Sequence, residues 1–275
     1  MASQQTEQIS PTKTHRVYFL DEVRGICILL MVIFHGAYDV IYIFGMDIPI
    51  FHSYILQHVL QPLVAGIFVF LSGIACRYSR NNLRRGLIAL GFGMVLTVVT
   101  RLFMPEQAIL FGILHLLGSC MILFGLVSMA QKAFYKKLPD APHLHPMAGL
   151  VGGLLLFCFL YGVPKGWVGF LDLIKLPLSP SLYSTDFLFA LGLPGPSFWS
   201  TDYFPLLPWV LLFAAGSFAG VYFKEGKMPA FFYRSHSKAL GLVGRNTIWV
   251  YLLHQPVVYG LLWLIFTIST KITSG

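Results

Sequence analysis

Charge is scarce in this 275-residue chain: Asp, Glu, Lys and Arg make up 11% of it, and only 11 residues are acidic. Set against a hydrophobic content of 56%, that excludes a soluble globular domain. Cysteine is rare as well. Cys27, Cys76, Cys120 and Cys158 sit within or at the ends of apolar runs and lack CxxC spacing. They read as small packing residues, which speaks against disulfides and a zinc site. No two histidines stand at i and i+4, so a metal centre has little to build on, and none is expected. The first apolar run has no small-residue cleavage site after it. It reads as an uncleaved anchor, with residues 1–16 a disordered tail ahead of a membrane domain over 17–270.

The long apolar runs dominate what is present. Seven of them, at about 19–44, 55–76, 86–104, 108–130, 147–163, 204–223 and 246–269, approach the roughly 20 residues needed to cross a bilayer core. The expected fold is an all-α integral membrane bundle of about seven transmembrane helices. Fourteen lysines and arginines flank the helices on the N-terminal side, including Arg77, Arg80, Arg84, Arg85, Lys136 and Arg245. Only Arg101, Lys165, Lys175 and Lys271 lie on the other. The positive-inside rule then places the N-terminus in the cytoplasm and the C-terminus outside. The net charge of +8 is accounted for by this topology, and no basic soluble face suited to nucleic acid is present. The proline-rich stretch 164–203 is a long outer loop. Its apolar pieces WVGFLDLIKL and FLFALGL are too short to span and suggest interfacial or re-entrant helices.

Polar groups at membrane depth are costly and usually functional. On α-helical geometry Asp21, Arg24, His35 and Asp39 share one face of the first span, with His35 about 16 Å beyond Arg24. Counting from the helix ends puts His35, Asp39, His115 and Asp202 in the outer half. The same count puts Arg24, Ser72, Arg245, Asn246, His254 and Gln255 in the inner half. Each has a plainer reading: Arg24 as a snorkelling anchor paired with Asp21, the histidines as hydrogen-bonding glue, Asp202 as a cap for the sixth span.

The string LDEVRGICILLMVIFHGAYD, an arginine followed after ten residues by a histidine, resembles the signature of the transmembrane acyltransferase superfamily. Within it, the chain is similar to the heparan-α-glucosaminide N-acetyltransferase family. FVFLSGI, FGILHLLG, DYFPLLPW and LLHQP follow in the expected order, so the likeness runs from Val17 to about Leu262. The resemblance implies transfer of an acetyl group from cytoplasmic acetyl-CoA to a sugar amine or hydroxyl on the opposite membrane face. It makes His35 the catalytic histidine and places Arg24 where CoA enters. Asp39 would orient His35, with His115 and Asp202 completing the catalytic set. Arg24, Ser72, Arg245, Asn246, His254 and Gln255 would hold CoA. The compact chain is similar to bacterial members, which implies the inner membrane and a cell-envelope glycan or amino-sugar acceptor. A homodimer is left open.

Two other classes compete. A transporter or proton-coupled carrier also has polar clusters on both sides of a midplane, but the chain shows no paired inverted repeat. A membrane haem protein would use His35, His115 or His254 as axial ligands; no haem is expected here.

Overall fold

A computed structural model of the chain describes residues 16–170 and 173–273, with side chains through residue 269. Residues 1–15 of the expected tail lie outside the described residues, as does Asp172 of the outer loop. Among the described residues there are eight α-helices: α1 (Tyr18–Tyr42), α2 (Gln61–Cys76), α3 (Asn82–Phe103), α4 (Ile113–Lys137), α5 (Pro146–Leu160), α6 (Leu206–Lys224), α7 (Lys238–Arg245) and α8 (Thr247–Thr273). Seven helical segments among the described residues are long and apolar enough to cross a membrane, as the sequence led us to expect. The short α7 is additional.

Local chemistry sets the ends. Gly45, at φ +71°, stops α1 just after Ile43 and Phe44 donate to the Asp39 carbonyl. The Asn81 side chain accepts from Arg84 N and starts α3, and Ser237 does the same for α7 at Leu240 N. Lys136 and Lys137 close α4 where the helix dipole favours cations. A π-helical turn, Ile55–Leu60, precedes α2, so Pro62 falls in the first turn of α2 instead of kinking its middle.

Two glycine crossings hold the bundle. A Cβ on Gly73 would come within 2.0 Å of the Phe213 carbonyl oxygen, and one on Gly216 within 2.1 Å of that of Phe70, so α2 and α6 meet backbone to backbone. In the same way a Cβ on Gly25 would strike Leu240 O and one on Gly244 would strike Asp21 O, which docks α7 against the first turns of α1. Around these, α3 packs on α4, α5 on α6, and α8 on α1. The largest core cluster, with Val69, Leu116, Leu117, Trp209 and Phe213, lies among α2, α4 and α6.

The outer loop departs from expectation. WVGFLDLIKL supplies a two-stranded antiparallel ribbon, Trp167–Val168 with Leu176–Pro177, in place of an interfacial helix. Gly169 there has φ +149°, and a Cβ would lie 1.8 Å from the Ile174 carbonyl oxygen, so the turn needs glycine. FLFALGL gives only a 3₁₀ turn, Asp186–Leu191, which Gly192 ends at φ +106°. The fourth span also begins later than expected. Ala108–Gly112 is extended and runs beside 201–204, through Thr201 N donating to Ala108 O and Phe204 N to Phe111 O. That pairing tucks the 200–204 segment against the start of α4.

Candidate functional site

The site follows the seam between α1 and α8. At the N-terminal end Arg24 Nη2 donates to Thr247 Oγ1 at 3.1 Å, while Nη1 lies 4.0 Å from Asp21 Oδ1. Asp21 is also paired to Arg16 at 3.0 Å, so its charge is shared. The Arg24 Nε is buried and has no hydrogen-bond partner among the described residues. Phe68 packs under the guanidinium at 5.9 Å, and Arg85 lies within its electrostatic reach. Arg77, another of the cations on the N-terminal side, is engaged elsewhere. Its Nε donates to Ser217 O at 2.7 Å and its guanidinium packs over Phe124 and Phe218. Arg245 and Asn246 are exposed, with Asn246 Nδ2 donating to Leu242 O. Ser72 Oγ donates to Phe68 O one turn back, leaving its lone pairs free.

Further along the seam the rings of His35 and His254 face one another, with centroids 5.1 Å apart. One residue beyond His254, Gln255 Nε2 donates to both oxygens of the fully buried Asp39, at 2.8 and 2.9 Å. This changes two expectations. Asp39 is taken by Gln255, not by His35, and His35 makes no hydrogen bond to a described residue. His254 and Gln255, placed by counting in the inner half, stand beside His35 and Asp39. The cause is α7. By packing against the first turns of α1 it starts α8 level with Arg24, six residues or about 9 Å along α1.

The other two residues of the expected catalytic set sit at the start of α4. His115 Nδ1 accepts from Gly112 N at 3.2 Å, and its Nε2 donates at 3.2 Å to Thr97 Oγ1, whose own proton goes to Ile109 O. Both ring nitrogens are spent on holding the extended 109–112 segment to α3. Asp202 Oδ2 accepts from Ile113 N at 3.3 Å and from the Tyr251 hydroxyl at 3.4 Å. It therefore caps α4 and not the sixth span, whose first residues follow Pro205. Burial of its carboxyl outweighs these two donors and pushes Asp202 up to about 6. Tyr251, three residues before His254 on α8, links Asp202 and the start of α4 to the His35 pair.

Sequence reasoning missed three contributors. Thr247 is the side-chain partner of Arg24, and its position directly after the helix-breaking Asn246 marks the true start of α8. Tyr251 stands at i−3 from His254, a spacing that puts both on one face. Glu22, inside the quoted LDEVRG string, accepts at Oε1 from Ser235 Oγ, His236 N and Ser237 N at 2.7–3.0 Å, and so fixes the segment that leads into α7. Among the described residues no three His, Cys, Asp or Glu side chains gather as a metal group would require.

A seam that sets a cation at one end and a histidine pair at the other suits a donor with an anionic head and a reactive tail. The family profile of the heparan-alpha-glucosaminide N-acetyltransferase catalytic domain matches residues 16–136 and 144–256, which is most of the chain. The chain belongs to this family. It is thus one of a family of membrane acetyltransferases that use acetyl-CoA as donor. The match takes in Arg24, His35, Asp39, His115, Asp202 and His254 together. No curated protein and no solved structure matches this acetyltransferase.

Proposed function

We propose that this acetyltransferase binds acetyl-CoA from the cytoplasmic side and delivers the acetyl group to an amine or hydroxyl of a glycan on the opposite face. Arg24 carries the reading. It is a cation at membrane depth whose Nε lacks a partner and whose nearest carboxylate is shared with Arg16. A phosphate oxygen would supply the missing acceptor, and Arg85 would add charge. His35, about 16 Å along α1, stands where an extended thioester arm would end, and there it serves as general base or transient acyl carrier. Asp39 with Gln255 would hold the outer end of the seam. The 3₁₀ turns and aromatic residues of 164–203, with Phe187 90% and Trp199 64% exposed, would meet the acceptor. The transporter alternative draws no support from the family match.

Calorimetry with CoA on the detergent-purified chain tests this. Wild type should bind. Arg24→Ala should bind about ten- to a hundredfold more weakly, the value of one charge-assisted hydrogen bond. His35→Ala should keep CoA and lose transfer. Unchanged CoA affinity in Arg24→Ala would remove Arg24 from the donor site, and wild-type turnover in His35→Ala would remove His35 from the chemistry.

A further inference from the structure

His254 differs from His35 in having a fixed tautomer. Its Nδ1 lies 2.6 Å from the Tyr251 carbonyl oxygen, and a carbonyl can only accept, so the proton is on Nδ1. The lone pair is therefore on Nε2, which is buried and has no hydrogen-bond partner among the described residues. A basic nitrogen aimed into a helix seam with nothing to accept from costs free energy, and such an orphan marks a place where a donor is missing. The contrast with the rest of the site is sharp. His115 has both nitrogens satisfied. Among the described residues His35 has neither nitrogen bonded and no orienting group, because Asp39 belongs to Gln255.

A general base works when a third group fixes its tautomer and direction, as the carboxylate does in a hydrolytic triad. In this seam only His254 has that third group, the Tyr251 carbonyl. We infer that, of the two roles given above for His35, the proton-accepting one belongs to His254 Nε2, which receives the proton of the acceptor. The inference rests on the acetyltransferase reading and assigns its proton step. The acceptor O–H or N–H breaks and its proton passes to Nε2 as the oxygen or nitrogen bonds to the acetyl carbonyl carbon. The carbon–sulfur bond of acetyl-CoA breaks, the thiolate leaves, and the proton on His254 is returned to it, which restores neutral imidazole and gives CoA thiol. If His35 first carries the acetyl group, its N–H proton goes to the departing thiolate as the carbon–sulfur bond breaks; at the acceptor step the carbon–nitrogen bond breaks, and the acceptor proton passes to His254 and from it to the His35 nitrogen. His35, in ring contact with His254, is left to work at the acetyl group. The other ionisable neighbours are Asp39, which faces the adjacent Gln255, and Tyr251, which bonds Asp202.

The test uses the full chain in detergent, with acetyl-CoA as donor, glucosamine as acceptor, and CoA release as readout. His254→Gln fits the space but cannot take a proton, and its kcat should fall about 10²- to 10⁴-fold, the usual value of a general base. CoA affinity by calorimetry should stay within about threefold of wild type, as expected when only the proton step is lost. In His254→Ala, added imidazoles should restore rate, and more strongly as their basicity rises. A structural role predicts rescue that ignores basicity. His254→Gln with wild-type kcat, or rescue of His254→Ala that is equal for strong and weak imidazole bases, overturns the inference. Failure of the underlying reading looks different, because wild type itself would then neither bind CoA nor release it from acetyl-CoA.

Discussion

Replacing Glu22 with alanine probes how the Arg24 end of the seam is held. Glu22 is 3% exposed and its Oε1 alone receives Ser235 Oγ, His236 N and Ser237 N. The alanine variant strands two backbone N–H groups at the entrance to α7. At about 1–3 kcal/mol for each unsatisfied buried donor, the local cost is roughly 2–6 kcal/mol. Because Gly244 of α7 sits on the backbone of Asp21, this loosens the wall beside Arg24. Hydrogen exchange by mass spectrometry should show amides 236–245 opening about 30-fold more often or beyond, at about 1.4 kcal/mol per factor of ten. Glu22→Gln keeps a carbonyl oxygen for the same donors and should fall between the alanine variant and wild type. CoA affinity should drop in step with exchange. Exchange in Glu22→Ala within threefold of wild type would refute the view that this carboxylate holds α7 in place.

Asp202 should make stability depend on pH. Its folded value, about 6, lies above the ordinary carboxylate value of 3.8, so its contribution is complete below about pH 4 and is lost as pH rises through 6, amounting to roughly 3 kcal/mol. Asp202→Asn, which still accepts from Ile113 N, should flatten that part of the melting-temperature profile, and an unchanged profile would assign the slope to another group. His115→Ala should cost about 1–2 kcal/mol, as loss of a helix-start hydrogen bond does, while transfer per folded molecule stays near wild type. A selective loss of kcat without loss of stability would instead return His115 to the chemistry.

The legible part of this molecule was the part written locally. Arg24, His35 and Asp39 lie on one continuous helix, so periodicity alone gave their common face and the 16 Å between the first two. The seven spans were readable because apolar length is a one-dimensional property. What escaped was relative depth. Counting assumed that every helix starts in one plane, whereas α8 starts about 9 Å along α1, and this moved His254 and Gln255 to His35 and Asp39. The same assumption put His115 inside a helix beginning at 108, when Ala108–Gly112 is an extended segment paired to 201–204. Pairing between distant loops leaves no periodic trace. For Asp202, spacing proposed a cap on the nearest helix, and only the fold could show that the capped helix is α4.

The glycine crossings also govern how the molecule can move. Where Gly73 meets Phe213 and Gly216 meets Phe70, no side chain lies between the backbones to slide or rotate, so α2 and α6 must travel as one rigid body. Gly25 and Gly244 lock α1 to α7 in the same manner. The seam between α1 and α8 is built differently, from side chains alone: Arg24 on Thr247, His35 on His254, Asp39 on Gln255, and Val258 in ordinary contact range of Gly36. Side chains can change rotamer without breaking a helix. The line along which this bundle yields most easily is therefore the one that carries its histidines, beside a frame of α1 with α7 and α2 with α6 that stays fixed.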